Sequence, residues 1–192
     1  MRTPVLFVTG LGRCGTTMVM QMLQAAGVPC AGTHPAFEDI PVTPSGVDHE
    51  WLALQAGRAV KWIDPTVTRV RHPNGAAIFL TRDPVEQAKS QLKMIGTRND
   101  RTARRVMAKS IQRDTRHARS IVTNLFGAHF VLHLHYDKIL RDPAYAAAQT
   151  AYFCDMLGLP FGPSGDAAAV VHKRGADCAP DLRAEIAMLP KD

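Results

Sequence analysis

Apolar residues in this chain come in short runs, separated by longer stretches in which they recur every three or four positions. Runs of this kind predict strands, and the longer stretches predict amphipathic helices. Pro4 to Thr9 reads as a first strand, and a helix from Thr16 to Ala26 follows, ended by Gly27 in the usual stop position. Pro29 to Ala31 predicts a second, short strand, and Gly32 to Gly46 a proline-bearing loop. Ser45 is the expected cap of a helix through Gln55, and Arg58 to Ile63 is the next strand.

Ala76 to Thr81 (AAIFLT) has the look of a strand buried on both faces. It runs into Asp83-Pro84, a capping residue followed by proline at the first helical position, which opens a helix to Ile95. A long helix is expected over Asp100 to Leu125, a strand over His129 to His133 and a helix over Asp142 to Leu157. A short helix is expected near Leu182 to Leu189. Strands alternating with helices predict an α/β fold: a P-loop-type three-layer domain with a central, mostly parallel sheet flanked by helices. With no internal repeat and 192 residues, residues 1–192 are read as a single domain. Met18, Met20, Met22 and Leu23 are core by default.

Composition narrows the class. Hydrophobic residues make up 46% and charged residues 21%, which suits a globular chain and not a disordered one. No apolar run is long enough for a membrane span, and the start shows no signal-peptide pattern. Cys14, Cys30, Cys154 and Cys178 form no C-x-x-C pair, so neither a zinc site nor a disulfide framework is indicated, and a cytoplasmic setting is expected. The net charge of +6 favours an anionic partner: a nucleotide, an acidic substrate, nucleic acid or a membrane surface.

Gly10-Leu11-Gly12-Arg13-Cys14-Gly15-Thr16-Thr17 lies between a predicted strand and a predicted helix. Free backbone N–H groups and the positive end of the helix dipole there converge on one anion. The spacing is that of nucleotide P-loops, but Thr16 stands where their lysine belongs. That argues against an ordinary ATPase or kinase, and Arg13 supplies the loop's charge instead. A second candidate anion site pairs Arg82, at a strand end, with Ser90, about two turns into the next helix. An arginine fork and a hydroxyl can grip one phosphate.

The pair G-R-C-G-T-T and R-D-P-x-E-x-x-x-S resembles the two nucleotide-binding elements of the sulfotransferases that use 3′-phosphoadenosine 5′-phosphosulfate (PAPS). Tyr136-Asp137-Lys138-Ile139, the Phe153 to Pro160 helix ending and Lys173-Arg174-Gly175 are similar to later markers of that family and keep its order. The resemblance implies that Gly12, Arg13, Cys14, Gly15, Thr16 and Thr17 wrap the 5′-phosphosulfate, with Arg13 beside the transferred group. It implies that Arg82 and Ser90 hold the 3′-phosphate, that Lys173, Arg174 and Gly175 close over it, and that Tyr136 approaches the adenine. The expected cofactor is PAPS, with PAP as product and no metal, and the expected partner is a hydroxyl or amine acceptor.

The family's K-T-H element is matched here by Lys61-Trp62-Ile63, so its histidine is missing. Glu38, His34 and Asp64 are the candidate bases, in that order. The chain is short for the family, which implies an open acceptor site or one completed by a second subunit. A P-loop kinase and a non-catalytic nucleotide- or RNA-binding module are the competing readings. Separately, Arg98, Arg101, Arg104, Arg105, Lys109, Arg113, Arg116 and Arg119 face only Asp100 and Asp114 as acids, and four of them recur at every fourth position. This stripe reads as a solvated face, a funnel for an anionic cofactor or acceptor, or a nucleic-acid surface, the last without aromatics for base stacking.

Overall fold

Val5, Leu6, Phe7 and Val8 are all fully buried, as expected of a central parallel strand covered on both faces. In the computed structural model, residues 3–38, 41–43, 46–70, 72 and 74–172 are described. The chain runs through β1 (Val5–Gly10), α1 (Thr16–Ala25), a small hairpin of β2 (Val42–Thr43) and β3 (Gly46–Val47), then α2 (His49–Ala53) and β4 (Ala59–Ile63). It continues with β5 (Gly75–Thr81), α3 (Pro84–Met94), α4 (Arg101–Phe126), a 3-10 turn at Ala128–Phe130 and β6 (Val131–His135). Three helices close the described part: α5 (Tyr136–Arg141), α6 (Pro143–Met156) and α7 (Ser164–Ala169).

The main sheet has the order β4-β1-β5-β6 and is parallel throughout. Alternate residues of each strand face opposite layers. Leu6, Val8, Ala76, Ile78 and Leu80 pack with α1, α6 and α7, while Val5, Phe7, Ala77 and Phe79 pack with α2, α3 and α4. This gives the expected three layers. From β1 the chain goes to β4 on one side and then crosses back past β1 to β5 on the other. Ligand crevices of open α/β sheets form beyond the strand ends at such a switch point.

Some expectations change. Residues 29–31 make only an isolated bridge, Cys30 to Ala59, because Pro29 has no N–H and Gly32 turns the chain away at φ 85°. Ser45 lies outside the described residues. The short helix α2 is capped instead by Asp48, whose carboxylate accepts from the N–H groups of Glu50 and Trp51, and it ends at Ala53. The β2–β3 hairpin was not foreseen. The last strand is Val131–His135 rather than His129–His133: Gly127 ends α4 at φ 83°, residues 128–130 form a 3-10 turn, and pairing with β5 extends to Thr81 opposite His135. Helices α5 and α7 were not predicted, and the segment Leu182–Leu189 lies outside the described residues. Among the described residues, no helix is long and apolar enough to cross a membrane.

Candidate functional site

The loop joining β1 to α1 owes its shape to two positions that demand glycine. Gly10 has φ 152°, and a Cβ there would lie 2.6 Å from both the Cys14 sulfur and the Leu80 carbonyl oxygen. Gly15 is the N-cap of α1 with φ 103°, and a Cβ would meet the Tyr136 ring at 2.5 Å. Between them Arg13 takes the left-handed conformation, φ 67°. Such a conformation is strained for a non-glycine residue and persists where the surroundings hold it.

The surroundings do hold it. Gln87, buried on α3, donates from Nε2 to the Gly12 carbonyl at 2.7 Å, and Gln91, one turn on, donates to the same oxygen at 3.0 Å. Arg82 Nη1 donates to the Arg13 carbonyl at 3.3 Å, and Arg13 Nε donates to Ser90 Oγ at 3.2 Å. The loop, the end of β5 and the inner face of α3 are thereby tied into one unit. The two anion elements seen in the sequence are neighbours in space. The glutamines were missed; their signal was the i,i+4 pair of amides on the side of α3 that also carries buried Ala88.

Tyr136, at the junction of β6 and α5, packs against Gly15, and its ring lies beneath the Arg82 guanidinium, 4.4 Å from it. The Asp83 backbone N–H donates to Asp137 at 3.4 Å, which fixes that corner to the start of α3. The Nε of Arg82 is buried without a hydrogen-bond partner. An unpaired buried donor is costly, so Arg82 retains unused capacity for an acceptor.

From β4 comes Lys61, only 2% exposed. Its ammonium donates to Thr17 Oγ1 and to the Ala36 carbonyl, both at 2.9 Å, and forms an ion pair with Glu38. A lysine inside the otherwise apolar run AVKWI was the sequence's signal for a buried charge. The loop between α1 and β2 supplies Glu38, whose side chain is 11% exposed. His34, from the same loop, is exposed and hydrogen-bonds Gln24 at 2.9 Å. Asp64 accepts from the backbone and hydroxyl of Thr66, while its own N–H donates to Gly10. Glu38 is thus the candidate base whose hydrogen bond reaches a side chain lining the cleft.

The cleft itself encloses about 670 Å³ with its open mouth and is lined by Arg13, Gly15, Thr16, Thr17, Lys61, Ile63, Arg82 and Tyr136. Met18, Gln21, Val170 and His172 also line it. His34 lines a trough that adjoins it through Gln21, Val170 and His172. Three cations and no carboxylate face the cleft among the described residues. With a helix N-terminus added, this donor set fits a multiply anionic ligand. Cys14 is not a nucleophile here: burial pushes its thiol up to about 12, so it is neutral and inaccessible. Lys173, Arg174 and Gly175 lie outside the described residues.

A parallel α/β sheet carrying a glycine-rich loop at its switch point defines a P-loop-type fold, and the chain has the fold of sulfotransferases. It is similar to the sulfotransferase of Alicyclobacillus acidocaldarius at 16% identity and a TM-score of 0.52, over 97% of this chain and 90% of that one. The sulfotransferase domain of the Synechococcus PCC 7002 olefin synthase matches at 16% identity and 0.57, over 94% and 82%. The mouse sulfotransferase SULT7A1, solved with PAP, matches at 14% and 0.57, over 88% of this chain and 63% of that one. No family model and no curated protein sequence matches the chain.

Proposed function

We propose that this protein is a sulfotransferase that uses PAPS and modifies a hydroxyl or amine acceptor. The observation that carries the reading is the joining of the two anion elements: Arg13 bonds Ser90 while Arg82 holds the Arg13 carbonyl. A ligand with two phosphate groups would engage both elements at once. In this reading the N–H groups of Gly12 to Thr17 surround the 5′-phosphate, and Arg82 and Ser90 hold the 3′-phosphate, the orphaned Arg82 Nε finding its acceptor there. The base extends past Tyr136 towards Met18, Gln21, Val170 and His172, with Lys173, Arg174 and Gly175 as further expected contacts. The acceptor is left the part of the cleft lined by Lys61 and Ile63.

When bound, PAPS supplies a sulfuryl group attached to a phosphate leaving group. The protein's task is to align the acceptor and stabilise charge gathering on the departing oxygen, which preorganised donors do well in a water-poor cleft. Arg13 and Lys61 are the cations suited to that. Glu38, joined by its ion pair to the cleft-lining Lys61, is the residue we assign to take the acceptor's proton, which requires its carboxylate to turn from Lys61 into the cleft; His34 and Asp64 are engaged elsewhere. No step requires a metal in this scheme. The domain assignment 1–192 and a cytoplasmic setting belong to the same reading.

Calorimetric titration with adenosine 3′,5′-bisphosphate, beside AMP and Mg-ATP at equal salt, tests it. The bisphosphate is expected to bind well above AMP, and Arg82→Ala to remove most of that difference. Preference for Mg-ATP would move the protein to the kinase side, and equal binding of AMP and bisphosphate would overturn the second phosphate site.

A further inference from the structure

Beside the cleft lies a larger groove of about 1280 Å³, open-mouthed, between the start of α3 and the first half of α4. Its α4 wall is a single helical face, Arg101, Arg104, Arg105, Ala108, Lys109 and Gln112, and its α3 wall is Asp83, Pro84 and Val85. Several cations on or just before α4 already have partners: Arg98 pairs with Asp100, Arg113 with Asp114, and Arg104 with Asn99. Arg101, Arg105 and Lys109 are exposed and have no anionic partner among the described residues. At a rise of 1.5 Å per residue they form a straight row with a charge about every 6 Å, held on a rigid helix.

We propose that this groove docks an acidic amphipathic helix of another protein. Two features select that occupant over a uniform polyanion. The two walls differ: opposite the cationic row stand the Asp83 carboxylate, which caps α3, and the apolar Pro84 and Val85, with Val85 52% exposed. A polysaccharide or nucleic acid bears negative charge on every side and would meet Asp83, whereas a helix with carboxylates along one edge and aliphatic residues beside them matches both walls. The pitch also matches, since carboxylates four residues apart on a helix repeat at the same interval of about 6 Å. Among the described residues, no aromatic side chain lines the groove for base stacking. Arg82 lines the cleft and Asp83, the next residue, lines the groove, so a docked partner sits beside the cleft. This inference is independent of the chemistry proposed for the cleft.

The test is fluorescence anisotropy at low salt. The probe is a labelled helical peptide with glutamate at every fourth position flanked by a leucine stripe. Its controls are a peptide of the same composition with the glutamates scrambled, a heparin oligosaccharide and a short DNA duplex. The patterned peptide should bind at least tenfold more tightly than the scrambled one. Arg101→Glu/Arg105→Glu/Lys109→Glu should abolish that binding, with Arg105→Glu alone as a milder variant and circular dichroism to verify folding. Val85→Ser should weaken the patterned peptide at least fivefold and leave heparin and DNA binding unchanged. Equal binding of both peptides, tighter binding of heparin or DNA than of the patterned peptide, or no binding at all would each overturn the proposal.

Discussion

Replacing Lys61 with methionine keeps the aliphatic stem in place and deletes the ammonium. At 2% exposure that ammonium is the partner of Glu38, and it also satisfies Thr17 Oγ1 and the Ala36 carbonyl. Removing one member of a buried ion pair costs about 3–5 kcal/mol, because the other charge is left uncompensated. Glu38 retains 11% exposure, so water relieves part of that penalty and about 3 kcal/mol is expected. For a chain of this size each kcal/mol moves the melting temperature by about 2–4 °C, giving a fall of roughly 6–12 °C. The decisive comparison is Lys61→Met/Glu38→Leu. Replacing both partners with apolar groups of similar volume is often close to neutral, so the double variant should recover most of the lost stability in denaturant titrations while remaining unable to turn over. If Lys61→Met costs less than about 1 kcal/mol, or the double variant is as unstable as the single one, the reasoning from an uncompensated buried carboxylate is wrong.

Gln87→Ala/Gln91→Ala removes both donors to the Gly12 carbonyl; at about 1 kcal/mol per bond the fold should survive, while bisphosphate affinity falls about tenfold by calorimetry as the loop loosens. Gly15→Ala forces a Cβ against the Tyr136 ring at φ 103°; it should lower the melting temperature, and Tyr136→Ala in the same chain should recover part of the loss. The thiols of buried Cys14 and Cys154 and of part-buried Cys30 are each pushed up to about 12 by desolvation, so iodoacetamide followed by peptide mapping should leave Cys14 and Cys154 unmodified and Cys30 at most slowly modified in the native protein at pH 8, and label all three after unfolding. His133, exposed on β6, is held below its usual pKa of 6.5 by partial desolvation and then by the Arg119 cation. Its contribution is therefore fully present above pH 6.5 and is lost as pH falls through the lower folded value, so His133→Gln should flatten the acid side of the stability profile.

The layer architecture and the glycine-rich loop were legible in the sequence alone, because both rest on local chemistry. The apolar runs at Val5 to Val8 and Ala76 to Leu80 are too continuous for half-exposed strands, and Asp83-Pro84 and Asp142-Pro143 set helix starts by capping and by proline's fixed φ. Glycines at 10 and 15, with a strand before and a helix after, dictate the turn that exposes the loop's N–H groups. Arg82 and Ser90 were a weak pair on placement alone and gained weight from their resemblance to a known pattern. Tertiary structure decided the rest. It showed that Arg13 reaches Ser90, 77 residues away, and that two glutamines on α3 brace a carbonyl in the loop. It also separated Glu38 from His34 and Asp64 by pairing it with Lys61. Each of these is a contact between segments remote in the chain, made through side chains whose partners are set by packing. No periodicity or spacing encodes such a pairing, and only the layered sheet brings the partners within reach.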